Sequence, residues 1–438
     1  MAEAFIADTL RARLDAVVPF APEGRITAAR GSVLRGRLSG ARIGQLCRVL
    51  PEGGEPLAAE VVGFDGEDLV LAPMGEVTGL AAKARLLPME TVATVAVGDG
   101  LLGRVLDADL LPIDGAGPIS GALGRRPVRS APPPAMSRRA IDRPLATGIR
   151  AIDALLTCGA GQRIGLFGPA GCGKSSLLAM LVARSEAEVC VLALVGERGR
   201  EVREAADTVL GGPAGARTTI VASTSDRPAA ERARAAHAAT ALAEHHREAG
   251  RDVLLVVDSI TRHARAERDL ALAAGEPPAR LGFPASVLDR LPRLLERPGR
   301  TEAGTITAIY TVLEEGEMAD DPVSEEVRSI LDGHVVLSPD LAARNHFPAI
   351  DVGASRSRLM TAVASPEHLD RAGRVRDLIA RRDEAEFLVR VGEHKKGRDP
   401  VIDEVLEKAA DIDRLLRQRL NETAGLSDAL EHLAALAP

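Results

Sequence analysis

A chain of 438 residues with 46% hydrophobic and 27% charged side chains is long enough for two or three globular domains with sizeable cores. Its net charge of −7 argues against a protein built to coat nucleic acid, and 2% aromatics, with no Trp and one Tyr, argue against a base-stacking platform. No apolar run approaches the length that spans a bilayer and the N-terminus has no signal-peptide pattern; Cys47, Cys158, Cys172 and Cys190 show neither paired nor metal-type spacing, which fits reduced thiols in a cytoplasmic protein.

In chain order, residues 1–23 form an extension. Within it, AFIADTLRARLDAVV (4–18) places Phe5, Ile6, Leu10, Leu14, Val17 and Val18 at helical spacing. Such a helix suits a membrane surface or a partner, and equally suits packing on its own protein. Residues 24–92 read as short β segments broken by glycines, with turn signals every eight to twelve residues, which predicts a small barrel or sandwich. A Gly/Pro-rich connection follows (DGAGPISGALGRRP, SAPPPAMSRR). From about 147 short apolar runs alternate with helical stretches: RIGLF, VCVLALV, TTIVAS, DVLLVV, TITAIYTVL, GHVVLS. Fully apolar strands alternating with helices predict an α/β core, a mostly parallel sheet with helices on both faces, here over 93–364. After about 365 only helical patterns remain, to 438.

The stretch GLFGPAGCGKSSLL contains one of only five lysines among 55 basic residues. Gly168-Pro169-Ala170-Gly171-Cys172-Gly173-Lys174-Ser175 fits G-x-x-x-x-G-K-[ST] between a strand and a helix that continues through Ser176. Glycines let successive N–H groups wrap a phosphate, and the helix N-terminus adds partial positive charge. Lys174 supplies a compact point charge that a planar guanidinium would not replace, and the Ser175 hydroxyl suits Mg²⁺. The ligand expected is a nucleoside triphosphate.

Three further elements suit that ligand. DVLLVVD ends in Asp258 at the C-terminal edge of the sheet, where a carboxylate holds Mg²⁺ through water. Alone, such an Asp is more often a helix cap or solvated; beside a phosphate loop the metal role is preferred. VCVLALV ends in GERGREV, where Glu197 is placed to orient or deprotonate an attacking water, with Arg198 and Glu201 close by. A dense charge run of this kind also fits a solvated helix start. In HFPAIDVGASRSR, Arg356 and Arg358 follow a short apolar stretch. An arginine on the developing charge of phosphoryl transfer, often from a neighbouring subunit, speeds it greatly, although surface arginines are abundant here.

Together these motifs resemble the ATPases of bacterial type III protein export, flagellar and injectisome, which are similar to the catalytic subunits of rotary ATP synthases. The phrases that carry the resemblance are AVGDGLLGRVLD, RPLATGIRAIDALLTCGAGQRIGLF, LVGERGREV, VVDSITRHARAERDLALAAGEPPARLGFPASVLDRLPRLLERPG, SEEVRSILDGHVVLS and HFPAIDVGASRSR, spread over nearly the whole chain. The resemblance implies ATP and Mg²⁺ on the phosphate loop, with Glu197 catalytic, Arg198 and Arg262 active-site arginines, and Asp258 at the magnesium. Glu201 is a further candidate through water. It also implies that Phe347 packs on adenine and that Arg358 enters the neighbouring subunit's site. A homohexameric ring with an N-terminal barrel, a P-loop core and a helical C-terminal domain is expected. So are partners in the secretion apparatus (stator, central stalk, export gate, chaperones and secreted substrates) at the cytoplasmic face of the inner membrane. Wording such as LLTCGAGQRIG and PAGCGKS favours the injectisome over the flagellum. A rotary catalytic subunit, a ring-shaped RNA translocase and a non-catalytic ring subunit are weaker alternatives. The departures from the resembled family are Ser175 where many relatives carry Thr, His263 for Tyr in TRHAR, His394 in GEH, the extra Arg356, and DADLL at 107–111 in place of a more glycine-rich turn.

Overall fold

The computed structural model describes residues 22–51, 54–89, 92–314, 321–391 and 393–437. The helical pattern at 4–18 lies outside the described residues. By contact clustering, the described residues fall into two compact units: one up to Thr94 together with Leu272–Glu276, and the other from Val95 to Ala271 and from Pro277 onward.

The first unit is a closed antiparallel barrel of β1 (Gly24–Arg30), β2 (Val33–Arg37), β3 (Leu46–Leu50), β4 (Leu57–Asp65), β5 (Asp68–Pro73) and β6 (Arg85–Pro88), in the order β1-β2-β5-β4-β3-β6. Alternation drives it: in β3, Cys47 and Val49 are buried while Arg48 between them is exposed. Ile26, Leu34, Val61, Leu71 and Leu86 fill the interior. Closure leaves no strand edge unpaired.

The second unit opens with β7 (Thr94–Val97), β8 (Val105–Leu106) and β9 (Gly124–Pro127), of which β7 and β9 pair. Its strands and helices then alternate: α1 (Arg150–Leu155), β10 (Arg163–Gly168), α2 (Lys174–Arg184), β11 (Val189–Glu197), α3 (Gly199–Leu210), β12 (Thr218–Thr224), α4 (Ala229–Glu248), β13 (Asp252–Asp258), α5 (Ile260–Ala273), α6 (Ala285–Leu295), β14 (Gly299–Arg300), β15 (Thr305–Leu313), α7 (Pro322–Ile330), β16 (Gly333–Leu337), α8 (Pro339–Ala343), β17 (Ile350–Ser357) and α9 (Met360–Val363). The sheet runs β17-β16-β10-β15-β13-β11-β12-β8, with β14 beside β15. Among the described residues of this sheet only β14 and β17 pair antiparallel. Every residue of β11 is buried, as a strand covered on both faces requires. One face carries Leu166, Leu192, Leu254 and Val256 against α1, α2 and α3. The other carries Val191, Val253 and Leu255 against the alanine-rich α4 and against α5 to α7.

The chain ends in α10 (Pro366–Ala380), α11 (Arg382–Arg390), α12 (Pro400–Leu416) and α13 (Leu426–Leu436). Ser365 and Asp399 cap α10 and α12, each with Pro at the first helical position. Val375, Leu378, Ile412, Leu415 and Leu433 join the same apolar cluster as Ile149 and Leu155. The C-terminal helices thus share their interior with one face of the central sheet. Among the described residues no helix is long and apolar enough to cross a membrane, and all four cysteines are free and buried.

Candidate active site

The strand β10 stops at Gly168 because the chain must turn sharply beside Leu337. A Cβ on Gly168 would lie 2.9 Å from the Leu337 Cβ. Pro169, Ala170, Gly171 and Cys172 make the turn, and Gly173, left-handed at φ 79°, opens α2. The first turn of α2 therefore begins at Lys174, with its N–H groups facing the loop. Cys172 is turned inward into the core, and burial pushes its thiol up. Ser175 and Ser176 are exposed.

Lys174 is 8% exposed, and its Nζ donates to the carbonyls of Gly168 at 3.0 Å and Val312 at 3.2 Å. Burial lowers its pKa, while the carboxylates of Asp258 and Glu314 oppose that shift. Asp258, at the end of β13, which β15 separates from β10, is also buried, which raises its pKa. It accepts a hydrogen bond from the Thr311 hydroxyl at 2.6 Å. Thr311 on β15 was not singled out from the sequence. Its sequence signal is weak, because Thr305 and Thr307 share the same buried strand.

Glu197 ends β11 and is 8% exposed. Arg262 Nη1 lies 2.9 Å from its Oε2 and also donates to the Gly196 carbonyl. Burial pushes the Glu197 carboxyl up to about 8; hydrogen bonding to Glu201 and the charge of Asp258 add to the rise, and Arg262 opposes it. Glu201 is lowered because its carboxylate accepts that hydrogen bond. Burial and the neighbouring carboxylates thus favour the neutral form of Glu197 over that of Glu201. Arg198 is exposed and lies 3.9 Å from Glu201.

Ser175, Glu197, Glu201 and Asp258 line one cavity of about 270 Å³. A second, of about 970 Å³, lies on the other side of Ser176 and is bounded by Gly173 and Phe347. Phe347 stands against the loop: a Cβ on Gly173 would meet its ring at 3.2 Å. The structure therefore brings together the phosphate loop, Glu197, Glu201, Asp258, Arg262 and Phe347. Arg358 is not with them. β16 runs parallel to β10, and β17 returns antiparallel, pairing Ile350 with Leu337 and Ser357 with Gly333. The Arg358 N–H donates to the Asp332 carbonyl, and the Asp332 side chain pairs with Arg163 at the start of β10. Five residues of strand, roughly 17 Å, separate Arg163 from Gly168.

A parallel sheet with a phosphate loop after one strand and acidic residues ending two others at the same edge defines a P-loop nucleoside triphosphatase. Residues 148–357 match the model of the ATP synthase alpha/beta family nucleotide-binding domain, and residues 364–435 match the T3SS EscN ATPase C-terminal domain. A type 3 secretion system ATPase of Sinorhizobium fredii is 48% identical over 94% of this chain and 92% of its own length. The flagellum-specific ATP synthase of Bacillus subtilis is 41% identical over 94% of each. The solved structure of assembled EscN from enteropathogenic E. coli superposes with a TM-score of 0.90 at 43% identity, covering 95% of this chain and all of that one. EscN in complex with its central stalk EscO gives 0.87 at 42%, with the same coverage. The chain belongs to the type 3 secretion system ATPase family.

Proposed function

We propose that this chain hydrolyses Mg·ATP between subunits of a homohexameric ring and so drives release and unfolding of secreted proteins at an export gate. The observation that carries the chemistry is the meeting of Lys174, Ser175, Asp258 and Glu197 at one sheet edge. Lys174 binds the terminal phosphates in place of the two carbonyls it now contacts. Glu197, with its carboxyl raised by burial, is a proton acceptor for water attacking the terminal phosphate, and Arg262 fixes its orientation. Arg198, exposed beside Glu201, is a further active-site arginine in this reading.

The donor set fits magnesium: the Ser175 hydroxyl and the buried Asp258 carboxylate share a cavity, with Glu201 within reach through water. An ion held there would neutralise phosphate charge. The 970 Å³ cavity takes the base, with Phe347 as its aromatic wall. Arg358, at the opposite edge of its own sheet, serves the adjoining subunit.

The chain divides functionally at the boundaries expected above: extension 1–23, barrel 24–92, ATPase core 93–364 and helical domain 365–438. Stator, central stalk, chaperones and secreted substrates are the partners, in the cytoplasm at the inner-membrane face. The injectisome reading over the flagellar one rests on the higher identity to the secretion ATPase and on the match at 364–435.

In Glu197→Gln, turnover falls by roughly a hundred- to ten-thousandfold while ATP still binds. Normal turnover in that variant would sink the mechanism.

A further inference from the structure

The wall of the 970 Å³ cavity opposite the phosphate loop is the connection between α12 and α13, residues 417–425. Three separate parts of the core hold it. The Gln418 N–H donates to the Phe347 carbonyl at 2.9 Å. The Gln418 side chain accepts from the Arg150 N–H at 2.9 Å and donates to the carbonyls of Gly148 at 2.8 Å and Glu422 at 3.1 Å. Arg150, at the start of α1, donates to the carbonyls of Arg414 at 3.1 Å and Arg417, and to the Glu422 carboxylate. Arg184, the last residue of the phosphate-loop helix α2, donates to the carbonyls of Arg419 at 3.3 Å and Leu420.

Gln418 is 4% exposed and Arg150 5%. A buried primary amide with all these bonds is a fixed strut, because replacing it by an apolar side chain leaves the Arg150 N–H and Gly148 C=O without partners. The strut determines how far the connection stands from Phe347. Leu420, on that connection and 64% exposed, lines both cavities, the large one and the one holding Ser175 and Asp258. The gap between Phe347 and the Leu420 connection is where a planar base enters.

We propose that Gln418, supported by Arg150, is a positioning residue for the nucleotide base, which sets ATP affinity without taking part in phosphoryl transfer. This rests on the large cavity being the base side of the ATP site. Gln418 acts on the base through the Phe347 backbone and through the connection itself. Its bonds fix the separation of the two walls before ATP arrives, so the ordering of the connection is not charged against binding.

The test is steady-state ATPase kinetics of the assembled full-length protein with ATP and GTP as substrates. In Gln418→Ala the KM for ATP rises about tenfold with kcat within about twofold, and the preference for ATP over GTP narrows. Gln418→Glu keeps the acceptor for the Arg150 N–H and recovers part of the affinity. Glu422→Gln, altered on the solvent side, raises KM less and in the same direction. A Gln418→Ala protein that loses kcat in proportion to its folded fraction, with KM and ATP/GTP preference unchanged, overturns the proposal. Phe347→Ala separates the two ideas. If it leaves ATP affinity unchanged, the base does not occupy this cavity and the underlying reading fails. If it weakens ATP while Gln418→Ala leaves KM unchanged, only the role of Gln418 fails.

Discussion

The two edges of the ATPase sheet are built in opposite ways. At the C-terminal edge, Lys174, Asp258 and Glu197 are all buried and each already holds an internal partner. At the other edge, Arg356 and Arg358 are exposed. One strand joins the two edges, since β17 begins three residues after Phe347 and ends one residue before Arg358. Groups that must be poised in a low-dielectric site are held by their own chain. A group that must arrive from outside is left without internal anchorage at its tip. The contrast is what the proposal requires: one chain would carry the parts of two half-sites, and a second copy would complete each of them.

The sharpest way to break this comparison is Arg358→Ala, which lowers kcat by about a thousandfold or more if the side chain completes a neighbour's site. Mixing that variant with Glu197→Gln is more telling. Each is nearly inactive alone, yet roughly a quarter of interfaces in a random ring would join an intact Glu197 to an intact Arg358. ATPase assays of the mixture should recover activity well above the sum of the two. No recovery would mean that Arg358 does not act across subunits.

A smaller effect tests the buried edge through pH. Glu197 must be ionised to accept a proton, and its carboxyl is raised to about 8. The free protein's kcat/KM therefore increases with pH up to and through that value, and is lost as pH falls below it. Glu201→Gln removes the carboxylate that holds the Glu197 proton, so the acid limb should move to lower pH. Arg262→Met removes the opposing cation, so the limb should move the other way. A limb that stays in place in both variants would assign the titration to another group.

Much of the buried edge was legible because its logic is local. A strand, a glycine turn and a helix start within eleven residues define the phosphate loop, and Asp258 and Glu197 each end an apolar run. The barrel was legible through alternation. What escaped was held by register or by long-range contact. Thr311 reaches Asp258 across 53 residues, and Gln418 reaches Gly148 across 270. β17 was read only as a short apolar stretch, because two exposed residues interrupt its pattern of buried positions. Periodicity likewise could not show that the C-terminal helices share the interior cluster of α1 and α2. Such sharing depends on which faces meet, and a helical pattern states only that an apolar face exists.

The smallest expected effect concerns Ser175, which fills the Ser/Thr position of the phosphate-loop pattern. The side chain is exposed at the first turn of α2, so an added methyl meets no packed neighbour there. Thr is a slightly poorer helix former, but at the second residue of the helix that cost is a few tenths of a kcal/mol at most. The hydroxyl proposed to hold the metal is retained in Ser175→Thr and lost in Ser175→Ala. Titrating ATPase activity against Mg²⁺ should therefore leave the Thr variant within about threefold of the parent, since both keep the ligand atom. The Ala variant should require substantially more metal. Equal metal requirement in all three proteins would remove Ser175 from the metal site and leave Asp258 to hold it without the loop hydroxyl.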